Sequence, residues 1–160
     1  MNRIKAIAMD VDGVLTDGAF YWGLNGEEWK SFSFYDVMGI SLGRKAGLIF
    51  ALISGEDNAL IDRYASKMGI VDIYKGNKDK GTALRSFADK YGFLLSEVCF
   101  MGDDINDLPA LELAGLSVAP ASAHEDVKKK VMLIMQHNGG QGAVRELVDL
   151  VLKNNIQEQK

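Results

Sequence analysis

The chain has 160 residues, 48% hydrophobic and 25% charged, with a net charge of −4. That length and balance fit one domain with a real core, and the lack of a basic stripe argues against nucleic acid as a partner. No apolar run reaches membrane-spanning length, Met1-Asn2-Arg3 is too short to head a signal peptide, and the lone Cys99 lies in an apolar run, so the reading is of a cytoplasmic protein without disulfides.

The first predicted strand covers 4–10, where the apolar run Ile4 to Met9 leads into Asp10-Val11-Asp12-Gly13. Residues i and i+2 of a strand project to one side, which sets Asp10 and Asp12 side by side at its carboxyl end. Two anions that close call for a cation or a shared proton. Asn25-Gly26, between the runs 19–24 and 28–34, reads as a hairpin turn. The hairpin's aromatic residues fall on both faces, Tyr21 against Phe20 and Trp22, and Trp29 against Phe32 and Phe34. One face is therefore expected against the body of the protein and the other against another subunit.

A short helix is expected over 36–46, and Leu48 to Ile53 reads as a strand buried on both faces, ending at Ser54-Gly55. A helix follows over 57–68, with Ile61, Tyr64, Ala65 and Met68 on one face, then a strand over 71–74. The helix over 78–91 carries Leu84, Phe87, Ala88 and Tyr91 on one face, and the strand Val98 to Met101 runs into Gly102-Asp103-Asp104-Ile105-Asn106-Asp107. Beyond it come a helix over 105–114, strands over 116–119 and 131–135, and a short helix over 124–130 whose Lys128-Lys129-Lys130 reads as a solvated face. Gly139-Gly140-Gln141-Gly142 reads as a flexible turn, Val144, Leu147, Val148 and Val151 give the last helix its core face, and 154–160 reads as a flexible tail. The alternation predicts an α/β fold: a Rossmann-like doubly wound parallel sheet in a single domain over 1–153, with the hairpin 19–34 inserted after strand 1.

Three readings of Asp10-Val11-Asp12-Gly13 compete. It is a common way to leave a strand by a turn. A calcium loop counted from Asp10 fails, because positions 5, 6 and 12 are Val14, Leu15 and Tyr21. The third is phosphoryl transfer, with Asp10 as nucleophile and Asp12 as acid and then base. Three further segments fit that chemistry. Ser54-Gly55 offers a hydroxyl and an N–H to a phosphoryl oxygen, although a serine after a strand is more often a helix cap. Lys80 begins a helix, where a cation is locally unfavourable and invites an explanation, although an isolated lysine is commonly a solvated one. Asp103, Asp104 and Asp107 crowd another strand end; Asp103 is the candidate metal ligand, while Asp104 and Asp107 are expected to orient water and pair with Lys80. His124 and His137 lack metal-ligand spacing.

Asp-Val-Asp-Gly-Val-Leu-Thr-Asp-Gly at 10–18 closely resembles the first motif of the haloacid dehalogenase superfamily, and Ser54, Lys80 and Gly102-Asp103-Asp104-Ile105-Asn106-Asp107 follow in that superfamily's order. The resemblance implies Asp10 as nucleophile, Asp12 as acid/base, Ser54, Gly55 and Lys80 as phosphate-binding groups, and Mg2+ held by Asp10, the main-chain carbonyl of Asp12, and Asp103. Many superfamily members carry a cap domain, but the stretches 13–53 and 55–79 are used up by the expected elements, so no cap fits. With this capless layout, the hairpin and Gly139-Gly140-Gln141-Gly142-Ala143-Val144-Arg145-Glu146, the chain looks like the 3-deoxy-manno-octulosonate 8-phosphate phosphatase family. That family is a homotetramer of packed hairpins in which a neighbouring subunit closes each site, and its product feeds lipopolysaccharide synthesis; a sister branch acts on nine-carbon, sialic-acid-like ulosonate 9-phosphates.

Glu56 stands where the octulosonate branch usually has arginine, and Glu56 with Lys67 matches the nine-carbon branch. These two are about 16 Å apart at ~1.5 Å per helical residue, so they serve one substrate only across a subunit boundary. Asp36-Val37-Met38-Gly39 also lacks an Asp-Gly often seen in the octulosonate branch. The substrate carboxylate needs a cation, for which Arg63, Lys67 and Arg145 are candidates. The rival expectations are a broad-specificity or phosphoprotein phosphatase with an open site, and a regulatory module that keeps the fold without the activity.

Overall fold

The computed structural model describes residues 3–157, with side chains to 155. In chain order its elements are β1 (Ala6–Met9), a hairpin of β2 (Tyr21–Trp22) and β3 (Glu28–Trp29), α1 (Phe34–Lys45), β4 (Ile49–Ile53), α2 (Ala59–Met68), β5 (Asp72–Tyr74), α3 (Lys80–Tyr91), β6 (Val98–Met101), α4 (Leu108–Leu113), β7 (Leu116–Ala119), α5 (Glu125–Lys128), β8 (Leu133–Ile134) and α6 (Ala143–Gln157). Six strands form one parallel sheet in the order β5-β4-β1-β6-β7-β8. The chain winds outward from β1 through β4 to β5, then crosses back to β6 on the other side of β1. The direction of winding thus reverses between β1 and β6, where open α/β sheets bind ligands. Asp10 and Asp103 leave the sheet just past those two strands.

Side-chain alternation sorts the sheet into two cores. Ile7, Met9, Phe50, Leu52, Cys99 and Met101 face Ile40 of α1, Ile61 and Tyr64 of α2, and Val144, Leu147 and Val148 of α6. On the opposite face Ala6, Ala8 and Ala51 leave room for Phe100 and for Phe87 of α3, with Ala110 and Leu111 of α4. Helices start where side chains supply the missing acceptors: Ser33 accepts from the Tyr35 N–H, Asn58 from Leu60, and Asp79 from Thr82. Only the hairpin and α1 lie between β1 and β4, and only α2 and β5 between β4 and α3, so the fold is capless.

Four expectations change. The hairpin strands are two residues each, pairing Tyr21 with Trp29 and Trp22 with Glu28, because no neighbouring strand extends the ladder. Phe20, Trp22, Trp29 and Phe34 are all exposed, and Phe32 is the ring that docks, stacked at 4.2 Å on Tyr64. The glycine-rich turn is not loose: the Gly140 N–H donates to the Val14 carbonyl at 2.9 Å, and Gly139 lies directly against Gly13. The last helix continues to Gln157, four residues into the stretch read as tail, and Asn155 exchanges two hydrogen bonds with the Ile4 backbone; 158–160 lie outside the described residues.

Candidate active site

The loop after β1 is wound around one carbonyl. The N–H groups of Val14, Leu15 and Thr16 all donate to the Val11 oxygen, at 3.3, 2.9 and 3.1 Å. The Thr16 hydroxyl accepts from the Gly13 and Gly18 N–H groups at 3.2 Å each. The Asp10 N–H donates to the Met101 carbonyl, which ties this loop to β6, and Asp10 Oδ1 accepts from the Val11 N–H at 2.7 Å. Gly13 has φ +85°, and a Cβ there would sit 2.0 Å from Asp103 Oδ2, so only glycine lets the two acidic loops meet.

Lys80 is the hub. It opens α3 with 1% of its side chain exposed, and its Nζ lies 2.9 Å from Asp10 Oδ2 and 2.6 Å from Asp107 Oδ1. Burial works against its charge, but the two carboxylates outweigh that and hold its pKa above the usual lysine value. This pairing explains a cation at a helix start. Asp107 is itself fully buried, and its second oxygen accepts from the Asp103 and Asp104 N–H groups at 2.8 and 3.2 Å. Asp104 does not pair with Lys80 as expected; its carboxylate turns back to accept from Ile105 N–H and caps the 3-10 turn that follows.

Carboxylate oxygens of Asp10, Asp103 and Asp107 lie within 4.8 Å of one another, and Asp103 Oδ1 is buried with no hydrogen-bond partner among the described residues. Burial, then the charges of Asp10, Asp107 and Asp104, pushes Asp103 up to about 8. Burial and Asp107 likewise raise Asp10, against the pull of Lys80. Asp10 and Asp107 each set one oxygen on Lys80 and the other on backbone N–H groups, but Asp10 and Asp103 line the cleft and Asp107 does not, so those two carboxylates face an incoming cation. An orphaned buried carboxylate oxygen beside a second carboxylate fits a hard divalent cation that takes oxygen ligands. The Asp12 side chain is not in this cluster; it pairs with Lys30.

Asp10, Asp12, Ser54, Gly55, Lys80, Asp103 and Asp104 line one cleft of about 390 Å3, joined by Glu56 and Asn106. Ser54 Oγ accepts from the Glu56 N–H at 3.1 Å, so its hydroxyl proton stays available. A larger cavity of about 590 Å3 between the hairpin and α2 holds Arg63 and Lys67 but none of the clustered carboxylates, so the chemistry belongs to the smaller cleft. Lys67 lies 5.8 Å over the Phe34 ring, and Arg145 pairs with Asp149 at 2.8 Å, apart from the cleft. Of the four specificity candidates, only Glu56 reaches the cleft of this chain.

Lys30, Asn106, Thr16 and Asp36 escaped the sequence reading. Asn106 was visible as part of the acidic motif. Lys30 was masked by the aromatic residues around it, and nothing local marks Asp36, which is buried and accepts from the Gly142 and Arg145 N–H groups at 3.4 and 3.0 Å.

A family model described as haloacid dehalogenase-like hydrolase matches residues 32–147. The 3-deoxy-D-manno-octulosonate 8-phosphate phosphatases of Salmonella typhi and Escherichia coli strain K12 are each 38% identical over 151 residues, spanning 94% of this chain and 80% of theirs. Among solved structures, the same phosphatase from Moraxella catarrhalis, in complex with magnesium, phosphate and KDO, matches with TM-score 0.92 at 38% identity, covering 98% of this chain and 91% of that one. A cobalt-bound phosphatase of this type from Haemophilus influenzae matches with TM-score 0.92 at 37% identity over 96% and 90%.

Proposed function

The chain belongs to the haloacid dehalogenase-like hydrolases and is a phosphatase; from that premise we propose that it hydrolyses the phosphate monoester of a 3-deoxy-2-ulosonic sugar acid through an aspartyl-phosphate. The observation that carries this reading is Lys80 buried between Asp10 and Asp107, with the unpartnered Asp103 oxygen beside them. Lys80, the Ser54 hydroxyl and the Gly55 N–H hold the phosphoryl oxygens. The Asp10 carboxylate bonds to phosphorus as the ester P–O bond breaks, and Asp12 gives its proton to the departing sugar oxygen. Asp12 then takes a proton from the water that attacks phosphorus, and the Asp10–phosphorus bond breaks to release phosphate. Asp10, Asp103 and the Asp12 main-chain carbonyl would hold Mg2+, which would supply the positive charge that lets an anionic nucleophile meet an anionic phosphate.

The similar curated enzymes favour octulosonate 8-phosphate as substrate and lipopolysaccharide synthesis as the setting. Glu56, on the cleft itself, tilts toward the nine-carbon 9-phosphate and sialic-acid-type synthesis. Lys67 lines the other cavity, so it joins Glu56 on one substrate only if a neighbouring subunit supplies it. We take the working form to be a cytoplasmic homotetramer of a single domain over 1–153, an assembly supported by the exposed aromatic hairpin. The decisive experiment is a comparison of kcat/KM for the two ulosonate phosphates with Mg2+, alongside Asp10→Asn. Wild type should hydrolyse at least one of them well, and D10N should lose turnover while melting as wild type does. Activity of D10N near wild type would exclude Asp10 as nucleophile. Poor activity on both sugar acids, with ready turnover of phosphoprotein or unrelated monoesters, would favour the open-site phosphatase.

A further inference from the structure

Lys30 lies at the end of the returning hairpin strand. Trp29 and Ser31 on either side are exposed, yet only 4% of the Lys30 side chain is. Its Nζ lies 2.5 Å from Asp12 Oδ1 and 3.8 Å from Glu28 Oε1. Glu28 Oε2 in turn accepts from Asn58 Nδ2 at 3.0 Å, while Asn58 Oδ1 caps α2 at 2.8 Å from the Leu60 nitrogen. A line of four polar side chains therefore runs from the loop after β1, through the hairpin, to the start of the helix that follows Ser54. A two-stranded hairpin is marginal alone, so anchors of this kind decide where it sits.

Only one oxygen of Asp12 is used in this line. Oδ2 has no hydrogen bond among the described residues, and the side chain is 31% exposed where it lines the cleft. A carboxyl group can accept at one oxygen in either protonation state while the other carries the proton. We propose that Lys30 is a positioning residue for Asp12: it pins Oδ1 and so presents Oδ2, the oxygen that passes the proton, to the cleft. This rests on the reading of Asp12 as acid/base. In the first half-reaction the proton leaves Oδ2 for the sugar oxygen as Asp10 bonds to phosphorus. In the second, a proton from water returns to Oδ2 as the Asp10–phosphorus bond breaks. Lys30 keeps its own protons throughout.

The test uses leaving groups of different need. Octulosonate 8-phosphate expels an alkoxide that must be protonated; p-nitrophenyl phosphate expels a stabilised phenolate that needs little help. With the full chain and Mg2+, Lys30→Met should lower kcat/KM for the sugar ester about 10- to 30-fold, part of the ~100-fold or more that general acid catalysis supplies. The aryl ester should lose less than about threefold on the same scale, and Lys30→Arg should restore most of the sugar-ester activity. Both tryptophans, Trp22 and Trp29, are in the hairpin, so intrinsic fluorescence reports its docking directly. If K30M shifts that fluorescence, Lys30→Gln, whose amide keeps a donor for Oδ1, is read in its place: it should keep a larger share of the sugar-ester activity than K30M while the aryl ester again changes by less than about threefold, and an equal loss on both esters overturns the proposal. Equal losses on both esters, no loss on either, or a change confined to KM would overturn the proposal. Asp12→Asn run in parallel separates the premises: if its kcat/KM, which reports only the first half-reaction, also falls equally on both esters, the acid reading of Asp12 falls and takes the role of Lys30 with it.

Discussion

Asp10 and Asp107 share a single ammonium and Asp103 crowds beside them, so without a cation the site is short of positive charge. Asp103 is raised from an ordinary 3.8 to about 8, and Asp10 is raised with it. A folded-state pKa above the unfolded one means that the folded protein binds more protons between the two values, and stability falls as pH rises through that window. The cation-free protein should therefore be most favoured below about pH 4 as far as these groups are concerned, and should lose that contribution by pH 8. Melting curves at pH 5 to 8, in EDTA and in Mg2+, isolate the effect: the EDTA midpoints should fall away from the Mg2+ midpoints as pH rises, by about 2–4 °C per kcal/mol for a chain of this size. Parallel curves would mean that these carboxylates do not share an ion. A second contrast separates the two neighbouring aspartates. Asp107→Ala strips Lys80 of one buried partner and two N–H groups of their acceptor, and should cost about 3–5 kcal/mol in urea unfolding. Asp104→Ala removes an exposed cap and should cost about 1 kcal/mol.

At the scale of elements, the loop after β1 is braced by a segment more than a hundred residues later. A Cβ on Gly139 would stand 1.8 Å from the Gly13 carbonyl oxygen, and backbone cannot yield as a flexible side chain can. Gly139→Ala should thus displace the loop that carries Asp10 and Asp12, lowering kcat by about 10- to 100-fold. A circular-dichroism spectrum and Mg2+-loaded midpoint near wild type would show that the fold survives; unchanged kcat would mean that the brace is idle. This contact also shows where sequence reading stops. Buried parallel strands are continuous apolar runs, so β1, β4 and β6 were legible, and the carboxylates after β1 and β6 and Ser54 after β4 came with them. Glycine composition signals freedom or tight packing with equal force, and only the opposing backbone at Gly13 decides between them. Asp36 meets a partner 109 positions away, and Lys30 meets one across a hairpin whose aromatic residues dominate its pattern. Such roles depend on docking that no local period records.

At the scale of the whole molecule, the doubly wound order was legible because each crossover alternates strand and helix, whereas assembly shows only as surface left over. Phe20, Trp22, Leu24, Phe34 and Tyr35 are each more than two-thirds exposed. The Phe20 and Trp22 rings lie 5.3 Å apart on the hairpin, and apolar side chains exposed in this number are costly in water and mark a contact surface. The hairpin also presents the free edges of an unextended two-stranded ladder, which pair readily with another chain. Packing of hairpins from several copies would cover both features and wall the cleft, which Asp12 lines and to which Lys30 ties the hairpin. Trp22→Glu combined with Leu24→Glu puts like charges at that junction without touching the sheet or the acidic cluster. By sedimentation, wild type should run as a tetramer and the double variant as a monomer with an unchanged far-UV spectrum. Its activity on the sugar-acid phosphate should fall further than its activity on p-nitrophenyl phosphate, because a small aryl ester needs less of the wall. A wild-type protein that sediments as a monomer at full activity would remove the neighbour from the site and leave the open-cleft phosphatase as the better account.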